Sequence, residues 1–430
     1  MKRRYFFLLL FVIYLNQPCV CLGETELAGQ NHLSLSVTGD VHGGINYSDN
    51  DSNTVFPVSM RLQFGIRAGK DFELIGRVNT GKIFELKIGD DDKFMIDRLF
   101  FCWQSIVETP LSFRMGRLPT AGLISSDNLR LGLDEPDAEL LSYTNIALDG
   151  FGLGYRFRQT DWSEKFSLYV ARQYDWGYEG GDRRTFTEDT EIYGLHLTAR
   201  NRRGAIFVFQ TFAFKDIYNI PENVTFVNPL EFARWENDNS YYDPLNSSMN
   251  LILDRTDLGN IYHTSMLFSM TGSRLKYFLA LSWSRTDAKA VDELGTSLLG
   301  SWWDEPEDKD GYSVYTGMRY DFDDSRFKLG LEFNYGSKNW LALDSKLATR
   351  GYVTELYSIY DLQVSSLSAR VTNSFLRLGY QYYDYQYTGS GFWLGKPEKI
   401  DDLANDPLLV QFYNPADHDH SVYMAADFYF

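Results

Sequence analysis

Cysteine is nearly missing from this chain: there are three, and two of them, Cys19 and Cys21, fall within its first two dozen residues. That leaves Cys102, and a lone thiol closes no internal disulfide, so a long exported chain must hold together by other means. Past residue 23 no apolar run is long enough to cross a bilayer as a helix. Positive charge is in deficit, with 41 Lys and Arg against 58 Asp and Glu and a formal net charge of −17, which argues against nucleic acid as a partner. Signatures of catalysis are missing too. The sequence has no Gly-x-Ser-x-Gly elbow, no phosphate loop and no CxxC pair. The expectation is therefore a chain that is not an enzyme, with no catalytic residue, cofactor or metal site. An active site built at a barrel rim from scattered residues is the one enzymatic arrangement sequence leaves open. Asp90 to Asp92, the acidic run Asp304 to Asp310 and the pair His418 and His420 read as solvated loop groups before they read as ion sites.

What is present begins with Lys2-Arg3-Arg4, an apolar stretch from Tyr5 to Leu15, and small residues ahead of Glu24. This is the layout of a secretory signal, cleaved after residue 23. Its removal takes away three basic residues and no acid, leaving a formal charge of about −20. Aromatics make up 16% of the chain, with 29 Tyr and 31 Phe. High aromatic content without long apolar runs suits a membrane barrel, whose strands carry a weaker signal than helices. It also suits a large soluble β-protein.

Alternation decides between them. Phe327, Leu329, Leu331, Phe333 and Tyr335 alternate with Lys328, Gly330, Glu332 and Asn334. Leu275 to Trp283, Tyr312 to Phe322, Leu376 to Tyr382 and Met60 to Ile66 show the same period of two, the mark of a strand with different surroundings on its two faces. About sixteen such strands can be counted. Ala205 to Phe214 is apolar on both faces, so its facing cannot be read. The connections alternate short and long along the chain, as transmembrane barrels require with tight periplasmic turns and long outer loops. An even strand count leaves both termini on the periplasmic side. The chain ends on Val422, Met424, Ala426, Phe428 and Phe430, all apolar and spaced by two. Outer-membrane barrels end in such an aromatic-terminated strand, read as an insertion signal by the assembly machinery. The predicted fold is an all-β, transmembrane, antiparallel up-and-down barrel occupying residues 24–430, located in the bacterial outer membrane.

Four stretches carry a family likeness: Gly116 to Pro119, Leu148 to Tyr155, Gly330 to Trp340, and Leu378 to Gly391. From about Met60 onward the chain resembles a family of porin-like bacterial outer-membrane proteins catalogued as a domain of unknown function. The resemblance implies an outer-membrane barrel and a porin role, and it transfers no catalytic or binding residue. Members often carry a helical stretch before the barrel, and no such pattern lies between Glu24 and Leu33.

A barrel of this size is wide enough for an aqueous lumen, whose selectivity would follow from inward charges. Alternation puts Arg61, Arg67, Arg77, Arg98, Arg114 and Arg156 on inward faces of strands two to six. The third outer loop, 118–148, carries Asp127, Asp134, Glu135, Asp137 and Glu139. It is expected to fold into the lumen, as the third loop of general porins does, and to face the arginines across a constriction. The functional expectation is passive diffusion of small polar solutes or ions. The alternative is a surface-exposed binding or adhesion barrel acting through the long loops 215–257, 286–310 and 388–419. Expected partners are outer-membrane lipid and lipopolysaccharide, the barrel-assembly machinery during insertion, and further copies of the chain in a homo-oligomer.

Overall fold

A computed structural model describes residues 33–49, 53–85, 93–119, 147–158, 162–172, 189–219, 255–272, 274–293, 295–301, 305–323, 325–342, 347–362, 373–390, 393–403 and 416–429. Residues 1–23, the expected secretory signal, and Phe430 lie outside them. Sixteen strands close into one antiparallel barrel. They are β1 (Leu33–Ser48), β2 (Asn53–Ala68), β3 (Phe72–Glu85), β4 (Lys93–Trp103), β5 (Leu111–Pro119), β6 (Ala147–Arg158), β7 (Trp162–Arg172), β8 (Glu191–Asn201), β9 (Ala205–Tyr218), β10 (Asp257–Thr271) and β11 (Leu275–Ala288), followed by β14 (Lys309–Asp321), β15 (Phe327–Gly336), β16 (Gly351–Asp361), β17 (Asn373–Tyr385) and β18 (His418–Tyr429). The two remaining strands, β12 (Thr296–Ser297) and β13 (Gly300–Ser301), form a small ladder in the connection from β11 to β14. β18 closes the barrel by pairing with β1, Ser421 opposite Ser48 and Tyr429 opposite Asp40. Every backbone ladder therefore has a partner on both sides, the only way a sheet can sit in hydrocarbon.

All the strands expected from alternation are found. Short connections at 69–71, 202–204 and 272–274 lie at one end and most of the long ones at the other. The first outer connection, expected at 48–57, is only 49–52 because β2 begins at Asn53, and 362–372 at the inner end is longer than its fellows. The third outer loop is shorter than expected. Leu118 pairs with Leu148 and Pro119 with Ala147, so these four residues extend β5 and β6. Residues 120–146, with Asp127, Asp134, Glu135, Asp137 and Glu139, lie outside the described residues.

The alternation has the physical meaning it promised. Leu275, Tyr277, Leu279, Leu281 and Trp283 of β11 stand exposed on the outside, as do Leu329 and Leu331 of β15 and Val422 and Met424 of β18. The intervening Ser282, Ser313, Glu332, Asn334 and Glu355 are buried on the inside. In β9, unreadable from sequence, Ile206, Val208, Gln210, Phe212 and Phe214 face inward, each opposite a buried residue of β8 or β10. β4 carries a bulge: Arg77 pairs with Arg98 but Val78 with Ile96, so Asp97 is the extra residue. The bulge leaves Ile96 exposed outside while Arg98 stays in phase with the buried Phe100 and Cys102.

Inward rings lie flat against the wall. Tyr357 sits opposite Gly330, Tyr423 opposite Gly379, Phe278 opposite Gly317 and Phe212 opposite Gly194. In each pair a Cβ on the glycine would collide with the ring. The ring thus occupies the space its partner's side chain lacks, and buries its apolar area without projecting into the lumen.

Candidate functional site

The interior has two chemically different walls. On β2 to β6 the register places Arg61, Arg67, Arg77, Arg98, Arg114 and Arg156 inward. Arg77 and Arg98 are direct cross-strand partners. Arg67 lies near the periplasmic end of β2 and pairs with Glu73 at 3.3 Å. Arg114 has its guanidinium carbon 6.0 Å from the centroid of the Phe100 ring. Arg117 has the outward parity of Met115, and the register runs unbroken through Gly116, whose φ is +124°. Its guanidinium binds Asp149 in two-pronged fashion, Nε to Oδ1 at 3.0 Å and Nη2 to Oδ2 at 2.9 Å.

The wall of β14 to β18 carries acids and tyrosines. Glu332 and Glu355 are direct cross-strand partners, and both are fully buried. Tyr315 donates its hydroxyl to Glu332 at 2.6 Å. Glu355 accepts from Gln381 Nε2 at 2.8 Å and from the Tyr423 hydroxyl. Arg377 donates from Nε to the buried Asp427 at 2.9 Å. Nearer the periplasmic end, Arg319 and Lys276 stand opposite each other and share Asp321, while Lys328 binds Asp361. The cations on this side, Arg319, Lys328 and Arg377, are each held by an aspartate, and the two glutamates accept hydrogen bonds from neutral donors, as groups taken out of bulk water require.

Three outer loops fold onto this interior. In residues 337–350, between β15 and β16, Trp340 is fully buried with its ring 5.3 Å from that of His263 on β10, and Nε1 donates to Leu347 O at 2.9 Å. The backbone of Leu341 donates to Ser284 Oγ, and Asn334 Nδ2 to Leu347 O. The registers give the depth. Asn334 lies opposite Tyr315 and Tyr315 opposite Ala280, the sixth residue of β11 from its periplasmic end. At ~3.4 Å per residue that is about 17 Å along the strand, so the loop reaches mid-barrel. Ala342, Leu347 and Ala348 pack into a cluster with Ile206, Val208, Leu267, Phe278, Ala280, Tyr315 and Val353 of the wall.

Arg350 ties this loop to the one between β17 and β18. Its Nε donates to Trp340 O at 3.1 Å and Nη1 to Thr388 O at 2.8 Å, while its backbone nitrogen donates to Ser390 Oγ. Burial lowers its pKa to about 10, which still leaves it charged at neutral pH. The loop between β11 and β14 joins through Leu298 opposite Leu394 and through Leu299 N to Trp393 O. At the outer rim Lys289 binds both Asp216 and Asp257, and these hydrogen bonds raise the pKa of its ammonium. The third outer loop, which the sequence expects in the lumen, lies at 120–146 outside the described residues. Among the described residues those of the seventh enter the barrel, and their signal was slight: apolar Trp340-Leu341-Ala342 and Leu347-Ala348 inside a connection that would otherwise be polar. His418 contacts Asp417, and His420 Nδ1 lies 2.6 Å from the Tyr380 hydroxyl.

A closed ladder with an apolar outside and a charged inside places this barrel in an outer membrane. Among solved structures, in-vitro folded OmpT, an outer membrane protein of Vibrio cholerae in trimer form, is similar with a TM-score of 0.49 at 11% identity, covering 93% of this chain and 99% of that one. Outer-membrane expressed OmpT of Vibrio cholerae gives a TM-score of 0.48 at 10% identity, covering 93% and 98%. Comparison with curated protein sequences finds no significant match. The family model described as "Protein of unknown function (DUF3373)" matches residues 83–430, and the chain belongs to that family.

Proposed function

We propose that this protein is a channel for passive diffusion of small polar solutes or ions across the outer membrane, without catalytic activity of its own. The observation that carries the reading is the charge on the inner wall: arginines gather on β2 to β6, and on β14 to β18 buried carboxylates stand among cations that aspartates hold. Charges inside a membrane-spanning wall are costly, and a barrel serving only as an anchor would have no use for them. Opposed charges across a narrowed lumen set ion selectivity. The infolded residues 337–350 supply a narrowing, and the acids at 120–146 would add to it if that loop also turns inward.

The full chain reconstituted in planar bilayers is expected to conduct in KCl. In a salt gradient, replacing Arg98 and Arg114 by Gln should move the reversal potential toward cation preference. Absence of single-channel events at any salt overturns the channel, and an unmoved reversal potential overturns the arginines' role.

The same reading assigns Val422, Met424, Phe428 and Phe430 to an insertion signal recognised by the barrel-assembly machinery. Val422 and Met424 are exposed on the lipid-facing side of β18, where such a signal would be read. Deleting Phe430 is expected to lower the amount of folded barrel in the outer membrane, scored by heat-modifiable electrophoretic mobility. Undiminished assembly of both this variant and Phe428→Ala would remove that assignment. The outer rim would meet lipopolysaccharide, and association into homo-oligomers is part of the same proposal.

A further inference from the structure

One part of the interior gathers cations. On the periplasmic half of β5 to β8 the registers bring four cations onto one inner face. Arg156 of β6 stands directly opposite Lys165 of β7, Arg114 lies on β5 beside Gly152, and Arg200 of β8 lies opposite Ser163. Each is within four residues of the periplasmic end of its strand, so within about 14 Å of the rim along the strand. Among the described residues no carboxylate comes within ion-pair distance of Arg114, Arg156 or Arg200. The contrast is with Arg319, Lys328 and Arg377 across the barrel, each held by an aspartate. Like charges gathered on one sheet face repel, so an anion among Arg114, Arg156 and Arg200 would relieve the arrangement.

The cations also border a hollow. Cys102, Gln104, Ser105, Pro110, Leu111, Ser112, Arg114 and Arg156 line a cavity of about 50 Å³ at the turn from β4 to β5. One water needs roughly 10–15 Å³ on this scale, so a small oxyanion has room. Gln104 brings an amide that donates to Glu73 at 3.2 Å and has a second hydrogen to give, while the Ser112 hydroxyl donates to Gly154 O at 3.3 Å. Planar guanidiniums are suited to two-pronged binding of phosphate and carboxylate oxygens. In a chain with net charge −17, this is a local reversal of sign that long-range charge does not explain.

We propose that the Arg114–Arg156 cavity, with Lys165 and Arg200 beside it, is a binding subsite for small oxyanions, phosphate or carboxylate, in the periplasmic vestibule. It rests on the channel reading only for its role in transport; binding itself requires no conduction. The test is titration calorimetry of the refolded full chain in detergent with inorganic phosphate, and separately with succinate, at low ionic strength where screening is weak. Binding should weaken about tenfold or more in Arg156→Gln and Arg114→Gln, the loss of one charge-assisted contact each. Lys338→Gln, which removes a positive charge on the outer side, should leave it unchanged. Saturable binding of phosphate but not succinate names the phosphoryl group, and the reverse names the carboxylate; equal loss of phosphate binding in all three variants, or no saturable binding of either probe by the native chain, overturns the site. Arg156 is exposed near a strand end, so its variant is expected to fold, and its heat-modifiable mobility verifies this. Conductance in KCl with no phosphate binding ends the subsite and keeps the channel. Phosphate binding without conductance does the opposite.

Discussion

Trp340→Ala is expected to increase single-channel conductance. The indole is the anchor of the infolded loop: it lies tilted against the His263 ring, donates to Leu347 O and packs within the apolar cluster on the inner wall. Truncating a fully buried aromatic costs about 3–5 kcal/mol, part of it for the cavity left behind. Barrel ladders do not depend on this residue, so the loss should fall on docking of the loop rather than on the fold. A shift of that size changes the docked-to-undocked ratio by a factor of more than ~100. Residues 337–350 should then leave mid-barrel for part of the time, and the channel should show larger or noisier openings. Limited proteolysis from the outer side gives a second reading, with cleavage near 340–350 appearing only in the variant. Trp340→Phe keeps most of the packing and loses the Nε1 donor, so it should lie between. Native conductance together with native protease resistance in Trp340→Ala would show that the loop does not constrict the path.

The second large effect is on stability. Asp427→Ala should destabilise the folded barrel by about 3–5 kcal/mol, because it strands the Arg377 guanidinium on the interior wall. Asp427 is fully buried, and Arg377 reaches it through Nε at 2.9 Å and Nη2 at 3.4 Å. The pair bridges β17 and β18, next to the seam where β18 meets β1, so the weakened element is the one that closes the ring. Urea unfolding followed by heat-modifiable mobility is the measurement. The double variant Arg377→Met with Asp427→Leu should recover much of the loss, since a matched apolar pair avoids the desolvation of two ions. If Asp427→Ala unfolds at the native urea concentration, the pair contributes nothing to closure.

The barrel was legible because its cause is local. Phe327 to Tyr335 alternates within nine residues, and each strand repeats the statement independently. The seam was legible for the same reason, since Val422 to Phe428 carries its own facing. Where the local signal fails, so does the reading. Ala205 to Phe214 is apolar on both sides because its inner face packs against Leu267 and Ile261 instead of water. The infolded loop left only a slight apolar trace because Trp340 owes its burial to His263 and Leu267, more than seventy residues away in sequence. The cluster of cations on β5 to β8 needed register as well: Arg156 faces Lys165 only because β6 and β7 pair at that offset, just as Arg319 faces Lys276. What separates the two is Asp321, two residues along from Arg319 on its own strand.

The rings seated on glycines have a consequence for how the barrel is put together. Tyr423 on the last strand covers Gly379 on the strand before it, and Tyr357, Phe278 and Phe212 repeat the device around the wall. A strand that slipped by one residue would turn its ring to the lipid and set an outward side chain against the vacancy. A slip by two would press the ring onto a residue that has a Cβ. Each pair therefore acts as a keyed joint that fits at a single offset. Strands added one after another are checked at every such joint before the ring shuts.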